Sequence, residues 1–144
     1  MKPVKVRIVS RNKGDESQTI EHHYSGQFAE KQGKNYVIYA ENEQSGLEGT
    51  KTTIKWDQER ILILRNGSVQ HRQEFARGLI DHSVYLTPYL KIPLKTETRY
   101  IYTYFRKGVW HLEIEYNLYH DDALYGEIQI LVAVSYTHLT LPTK

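Results

Sequence analysis

The stretch from residue 85 to residue 132 contains three long runs in which every second residue is apolar or aromatic. Alternation with a period of two is typical of a β-strand that buries one face and exposes the other. Short polar turns at 106–108 and 120–122 separate the runs, which predicts three successive strands in an antiparallel meander. The predicted buried positions are Leu90, Ile92, Leu94, Tyr100, Tyr102 and Tyr104, then Trp110, Leu112, Ile114, Tyr116 and Leu118, then Leu124, Ile128, Ile130 and Val132.

The first half of the chain shows the same pattern in shorter runs, which predict strands at 4–8, 20–28, 36–40, 50–56, 61–64 and 69–75. Gly26 lies inside the second of these, where a glycine often marks a bulge or a bend. Asn66 and Gly67 are a strong hairpin signal. The segment 76–88 fits either a helical turn or a loop that pivots at Gly78.

The number and order of these strands indicate a barrel. No run has a helical period long enough to cover a sheet face, so the strands must close on themselves or split into two sheets. Up-and-down order favours closure. The sequence therefore predicts an all-β, antiparallel up-and-down β-barrel of roughly 8–10 strands, wide enough to be filled by side chains or to hold one small ligand.

Composition adds few constraints. The 144 residues fit one domain, and the absence of cysteine removes disulfides and thiolate metal sites. A formal net charge of +2 is too mild to indicate nucleic acid. The start of the chain does not resemble a secretion signal, and no run is apolar for the length of a membrane helix, so a cytoplasmic protein is expected. Twelve tyrosines against three phenylalanines fit either a half-buried sheet or a cavity lined by hydroxyls.

The last residues differ from the rest. Residues 134–144 resemble the in-frame translation of a sequencing adapter, so we expect a barrel domain at 1–133 followed by a non-native tail. The alternative is an ordinary C-terminal strand that ends in a proline. No function is assigned to this segment.

Several short motifs resemble those of the YwiB-like family of uncharacterised bacterial proteins. The motifs are Tyr36-Val37-Ile38-Tyr39-Ala40-Glu41, Ile61-Leu62-Ile63-Leu64-Arg65-Asn66-Gly67, Gln73-Glu74-Phe75-Ala76-Arg77-Gly78, Tyr85-Leu86-Thr87-Pro88-Tyr89 and Leu94-Lys95-Thr96-Glu97-Thr98. The resemblance covers residues 2 to 133 and implies a calycin-like, lipocalin-like β-barrel. Such barrels carry apolar ligands inside, but a shared fold does not by itself establish a shared function.

The strongest candidate for a functional site is the predicted inner face of the barrel. Buried hydroxyls need hydrogen-bond partners, which a ligand, water or mutual pairing would supply. The predicted interior ligand-binding residues are His22, Tyr24, Tyr36, Trp56, Thr96, Thr98, Tyr100, Tyr102, Tyr104, Trp110 and Tyr116. A closed core of paired tyrosines is the alternative.

Other chemistry has weaker support. His111, Glu113 and Glu115 share one strand face, but it is the outward face, where mixed charge is ordinary. No nucleophile elbow, phosphate loop or dinucleotide fingerprint occurs, so we expect no catalytic residues, metal or cofactor. A polyanion surface on Lys91, Lys95 and Arg99, with Phe105, Tyr119 and Tyr125 as stacking platforms, is opposed by the glutamates on the same side.

The sequence thus favours a non-enzymatic barrel that binds a small apolar or amphipathic molecule, with no membrane partner and no nucleic acid. The alternative is a filled barrel that acts through protein contacts on its outer face or loops.

Overall fold

The computed structural model describes residues 1–136, apart from the side chains of residues 16 and 17. These residues form ten antiparallel strands and a 3-10 turn at Glu43–Ser45. The strands are β1 (Lys2–Asn12), β2 (Asp15–Lys31), β3 (Lys34–Ala40), β4 (Thr50–Trp56), β5 (Ile61–Gly67), β6 (His71–Phe75), β7 (Ile80–Leu86), β8 (Lys91–Arg106), β9 (Val109–His120) and β10 (Ala123–Tyr136). Among the described residues, no helix is long and apolar enough to cross a bilayer.

The sheet closes at two junctions, one between β1 and β10 and one between β6 and β7. Strand β1 pairs with β10, with Val4 opposite Tyr136. At the other junction, here called the seam, β6 and β7 approach each other, and Gln70 and Leu86 exchange two backbone hydrogen bonds of 2.8 and 2.9 Å. All other neighbours in the sheet are consecutive strands. The structure is therefore a nearly closed up-and-down barrel, as predicted.

The barrel has two chemically different ends. Because consecutive strands are antiparallel, the connections at 13–14, 41–49, 68–70, 87–90 and 121–122 lie at one end, and those at 32–33, 57–60, 76–79 and 107–108 lie at the other. Buried polar residues gather toward the first, which we call the polar end. They are Glu41, Thr50, Thr52, His71, Gln73 and Thr96, with Thr98 halfway along β8, whereas buried Asn35 lies beside Trp56 at the other end.

Large apolar side chains fill the opposite, apolar end. The rings of Trp56 and Trp110 meet edge to face, with centroids 5.7 Å apart. Trp56 also packs against Phe28 at 6.0 Å. Leu112 and Ile114 of β9 are fully buried beside them. Burial of this apolar surface is the main term that stabilises the closed sheet.

A bulge in β8 corrects the predicted position of three tyrosines. Thr98 pairs with Tyr116 and Tyr100 pairs with Glu115, so Arg99 is an extra residue in β8. One extra residue reverses which positions point inward. Tyr102 is 51% exposed whereas Ile101 is 7% exposed. The prediction that Tyr100, Tyr102 and Tyr104 line the interior is therefore wrong.

Two other positions differ from the prediction for similar reasons. Tyr36 points outward, because the buried residues of β3 are the odd ones, and Lys55 lies over its ring at 5.4 Å. In β10 the register shifts between Leu124 and Gly126, which leaves Leu124 exposed. Alternation alone does not reveal a bulge.

Strand β7 occupies most of the segment that the sequence left unassigned. None of its residues is fully buried, since the strand alternates between half-buried and exposed positions. Its hydrophobic signal is therefore weak. At the C-terminus, Val134, Ser135 and Tyr136 continue β10 opposite β1. Residues 137–144 lie outside the described residues, so the origin of the tail stays a prediction.

Candidate binding site at the polar end of the barrel

A buried carboxylate organises one side of the polar end. Glu41 follows the last residue of β3, and its two oxygens accept hydrogen bonds from the hydroxyls of Tyr24 at 2.9 Å and Thr52 at 2.5 Å. The rings of Tyr24 and Tyr39 stack with centroids 4.3 Å apart. Burial, followed by the contact with Glu41, raises the pKa of Tyr24 to about 12. Burial also raises the pKa of Tyr39, so both tyrosines are neutral at pH 7.

Strands β6 to β9 supply a second set of interior polar contacts. Gln73 Nε2 donates to Thr96 Oγ1 at 3.3 Å, and His71 Nε2 lies 2.9 Å from Ser83 Oγ across the seam. Burial, and then the positive charge of Arg65, lowers the pKa of His71 to about 4. Burial raises the pKa of Tyr116 to about 12. The histidine is therefore neutral at physiological pH.

Arg65 is the interior residue that sequence reasoning missed. It pairs with Thr52 on one side and His71 on the other, and both of those side chains are buried, so Arg65 shares their inward face. Within the described residues it has no ion pair or side-chain hydrogen bond, and its Nε is buried without a partner. The alternation Ile61, Ile63, Arg65 indicates the inward direction of Arg65, since the arginine continues a series of buried apolar positions.

Other polar atoms near this end also lack partners. Thr98 is 2% exposed and its hydroxyl makes no hydrogen bond. The Nδ1 atom of His22, on the same strand face as Tyr24, is likewise buried and unpartnered. Buried polar atoms in folded proteins are nearly always hydrogen-bonded, so such atoms call for a specific explanation. A ligand or ordered water with polar groups would satisfy them.

The structure divides the predicted interior residues into two groups. Seven point inward, and four lie on the outer face. The inward residues are His22, Tyr24, Trp56, Thr96, Thr98, Trp110 and Tyr116, and the outer ones are Tyr36, Tyr100, Tyr102 and Tyr104. Trp56 and Trp110 belong to the packed apolar end and contact each other. The polar end is therefore formed by the other five together with Tyr39, Glu41, Thr52, Arg65, His71 and Gln73.

The outward histidine and glutamates of β9 are held in separate contacts. His111 stacks on Tyr104 at 4.9 Å, and Glu113 accepts a hydrogen bond from the Tyr104 hydroxyl at 3.0 Å. Glu115 is bound instead by Lys13 and Tyr100. In the part of the chain that the structure describes, no three histidine or carboxylate side chains are grouped to hold a metal ion.

Cross-strand pairs also occupy the basic residues of the outer face. Arg99 Nη1 lies 2.9 Å from Glu127 Oε1, and Lys95 lies over the ring of Tyr119 at 4.5 Å. Both signs of charge therefore meet on this surface, as cross-strand pairing predicts. This arrangement gives no separate support to a polyanion surface there.

Taken together, the closed sheet and its two-ended interior define a small antiparallel β-barrel protein. Residues 4–132 match the family model described as "Domain of unknown function (DUF1934)", and the chain belongs to this family. The uncharacterized beta-barrel protein YwiB of Bacillus subtilis (strain 168) is 27% identical over 121 residues, which are 83% of this chain and 84% of that protein. The resemblance to the YwiB-like family is thereby confirmed.

A solved structure supports the fold independently. The crystal structure of the ywiB protein from Bacillus subtilis superposes with a TM-score of 0.80 and covers 94% of this chain and 92% of that chain, at 23% sequence identity. This similarity confirms the β-barrel architecture. The relatives are uncharacterised, so they assign no activity to the polar end.

Proposed function

We propose that this protein is a non-enzymatic binding protein whose ligand is a small amphipathic molecule held at the polar end of the barrel. The observation that carries the proposal is the buried Nε of Arg65 on the inward face, which has no hydrogen-bond partner, while the residue forms no ion pair among the described residues. A buried donor without an acceptor is costly, so a ligand that accepts a hydrogen bond from Arg65 gains the interaction that the protein alone leaves unmade.

The interior also offers the apolar surface that an amphipathic molecule needs. Ile92 and Leu94, which precede Thr96 on the inward face of β8, are only half-buried. A ligand site that combines mostly apolar walls with a few fixed polar groups is typical of small-molecule binding proteins. Tyr24, Thr98 and Arg65 would then fix the orientation of the polar group.

The titratable groups at this end favour binding over catalysis. General acid-base catalysis works best when the pKa of the catalytic group is near the working pH. The pKa of His71 is about 4, and those of Tyr24 and Tyr116 are about 12. None of these three groups exchanges its proton readily near pH 7. We therefore propose no reaction at this site.

The contact between Trp56 and Trp110 favours a second candidate. These rings fill the centre of the apolar end, as expected for a barrel without a large internal ligand. Large side chains on the outer face, such as Tyr102 and Tyr104, are exposed. The second candidate is therefore a filled barrel that binds other proteins through this outer face.

Native mass spectrometry of the full chain, purified without denaturant, separates the two candidates. The wild type and the outer-face control Tyr102→Leu should carry a stoichiometric small-molecule adduct. Thr98→Leu, which replaces the unpartnered hydroxyl with a larger apolar side chain, should lose it. Denaturant unfolding establishes that Tyr102→Leu and Thr98→Leu fold. If Thr98→Leu does not fold, Thr98→Val takes its place. A clean apo mass after incubation with lysate, or an adduct unaffected by every Thr98 variant, would overturn the proposal.

A further inference from the structure

A basic groove lies on the outer surface along the seam, beside the polar end. It has a volume of about 620 Å³ and is formed by β4 to β7 and the start of β8. Its lining includes Lys51, Leu64, Arg65, Arg72, Leu86 and Lys91. The groove shares Arg65 and His71 with the polar interior, so the two features meet at the hairpin that joins β5 and β6.

The charge of this groove is of one sign. Four of its lining residues are lysine or arginine, and none is aspartate or glutamate. Arg72 is partly neutralised, because its Nη2 lies 3.3 Å from Glu74. In the described residues, Lys51, Arg65 and Lys91 have no ion pair. Closely spaced cations without acidic partners raise the local concentration of anions and favour their binding.

The groove also has an apolar wall. Leu64 of β5 and Val84 and Leu86 of β7 contribute to its lining, and Val84 and Leu86 are exposed to solvent. A purely inorganic anion would leave these side chains in contact with water. An anion that carries an apolar portion would cover them, and burial of that surface would add to the electrostatic attraction.

From this charge and shape we propose that the groove binds a small organic anion, with its anionic group between Lys51 and Lys91 and its apolar portion against Leu64, Val84 and Leu86. This inference goes beyond the proposed function, because the groove is a separate site on the outer surface of the barrel.

Calorimetric titration of the full chain with octyl sulfate, octyl glucoside and inorganic sulfate tests the proposal below micelle-forming concentrations. Octyl sulfate should bind saturably and more tightly than either of the others, because it alone has both the charge and the chain. The double variant Lys51→Gln and Lys91→Gln should weaken octyl sulfate binding about fivefold or more. Raising the salt concentration should weaken binding to the wild type, because ions screen exposed charges.

A matched control separates a local effect from a change in net charge. The double variant Lys31→Gln and Lys107→Gln removes the same charge in the turns of the apolar end and should bind octyl sulfate as the wild type does. Equal binding of octyl sulfate and octyl glucoside, or equal loss in the two double variants, would overturn the groove proposal.

The interior variant distinguishes this inference from the proposed function. If Thr98→Leu abolishes octyl sulfate binding while the groove variant does not, the interior site stands and the groove proposal fails. If the groove variant weakens binding and Thr98→Leu leaves it unchanged, the groove binds the anion and the interior does not. Absence of saturable binding to the wild type refutes the groove proposal outright.

Discussion

Lys13 Nζ lies 3.1 Å from both carboxylate oxygens of Glu115 and so joins the turn between β1 and β2 to the outer face of β9. Glu115 is 4% exposed although it points away from the barrel interior. Tyr100, which the bulge at Arg99 turns outward, donates a hydrogen bond to the same carboxylate at 3.0 Å. A small polar layer therefore covers this part of the outer sheet.

Because of this layer, the stability of the fold should decrease when Glu115 is protonated in acid. Burial opposes ionisation of Glu115, but the hydrogen bonds from Lys13 and Tyr100 outweigh it and leave its pKa below the ordinary value of 4.5. A lowered pKa in the folded state stabilises the fold above the unfolded pKa, and this contribution is lost as the pH falls through the folded pKa. Glu115→Gln should lower the free energy of unfolding at pH 7 by about 1 kcal/mol, since Lys13 is partly exposed.

Denaturant unfolding at pH 7 and pH 3 measures both effects. The wild type should lose more stability between these pH values than Glu115→Gln does. Glu48→Gln, in the exposed loop between β3 and β4, provides the control and should behave like the wild type. An unchanged acid response in Glu115→Gln would show that the layer makes no contribution to stability.

The bulge at Arg99 predicts opposite effects at two adjacent residues of β8. Ile101→Ala removes a buried side chain and should lower the free energy of unfolding by about 2–4 kcal/mol. Tyr102→Ala, on the outer face, should lower it by less than about 1 kcal/mol. Denaturant unfolding of the two variants decides the register. A larger loss for Tyr102→Ala would restore the strict alternation and contradict the bulge.

These residues show how far the sequence predicts the fold. Period-two alternation was sufficient for the all-β class, for the up-and-down barrel and for most strands, because burial of one face repeats every second residue. It failed for Tyr100, Tyr102 and Tyr104, because one extra residue in β8 reverses the phase without changing the local composition. It also failed for β7, whose weakly buried faces give little contrast.

Even the smallest substitution at Gly26 should lower the free energy of unfolding. The pairing of β2 with both neighbours continues through Gly26 without a register shift, so this glycine is not a bulge. A Cβ atom there would lie 2.8 Å from the backbone oxygen of Ile38. Gly26→Ala should therefore lower the free energy of unfolding by about 1–3 kcal/mol.

Gly14 offers the matched control in the first turn. A Cβ atom at Gly14 would meet only Asn12 Oδ1, at 3.8 Å, so Gly14→Ala should be tolerated. Thermal unfolding of the two variants compares them directly. Equal midpoints for Gly26→Ala and the wild type would show that β2 and β3 separate easily at this point.

The lowered pKa of His71 predicts a second pH dependence of stability, at a higher pH than that of Glu115. Its pKa falls from 6.5 to about 4 on folding. The unfolded chain therefore takes up a proton that the folded barrel does not, and stability is lost as the pH falls below 6.5. Lowering the pH from 7 to 5 should cost about 2 kcal/mol from this residue. Denaturant unfolding at the two pH values should show the loss in the wild type.

Two substitutions identify the histidine responsible for this loss. His71→Gln should remove most of the difference between pH 7 and pH 5. His82→Gln, at an exposed position on β7, should keep it. If both variants keep the full pH dependence, His71 is not the group that titrates.

Thr96 and Thr98 of β8 are both buried, but their hydroxyls differ in hydrogen bonding. Thr96 Oγ1 accepts a hydrogen bond from Gln73, whereas Thr98 Oγ1 has no partner. Thr96→Val should therefore lower the free energy of unfolding by about 1–2 kcal/mol, because it leaves the Gln73 amide without this acceptor. Thr98→Val should be neutral or stabilising in the ligand-free protein. A destabilising Thr98→Val would indicate an ordered water on that hydroxyl.

The candidate site was less accessible to sequence reasoning than the fold. Tyr24, Thr96, Thr98 and Tyr116 were predicted to be interior because each belongs to a regular alternation. Arg65 was missed, because a charged residue at the end of an apolar strand is ordinarily read as a surface position. Its inward direction follows from the registers with Thr52 and His71. Strand pairing of this kind cannot be predicted from a local stretch of sequence.

The pairing of β1 with β10 has a consequence for how the chain acquires its structure. During synthesis β1 meets β2 at once, but its second edge has no partner until β10 has been made. Contacts between such distant segments slow folding, because a long loop must close before any of them is gained. The unpaired edge of β1 is meanwhile a template for other strands. Newly made chains should therefore be most prone to aggregate just before β10 is complete.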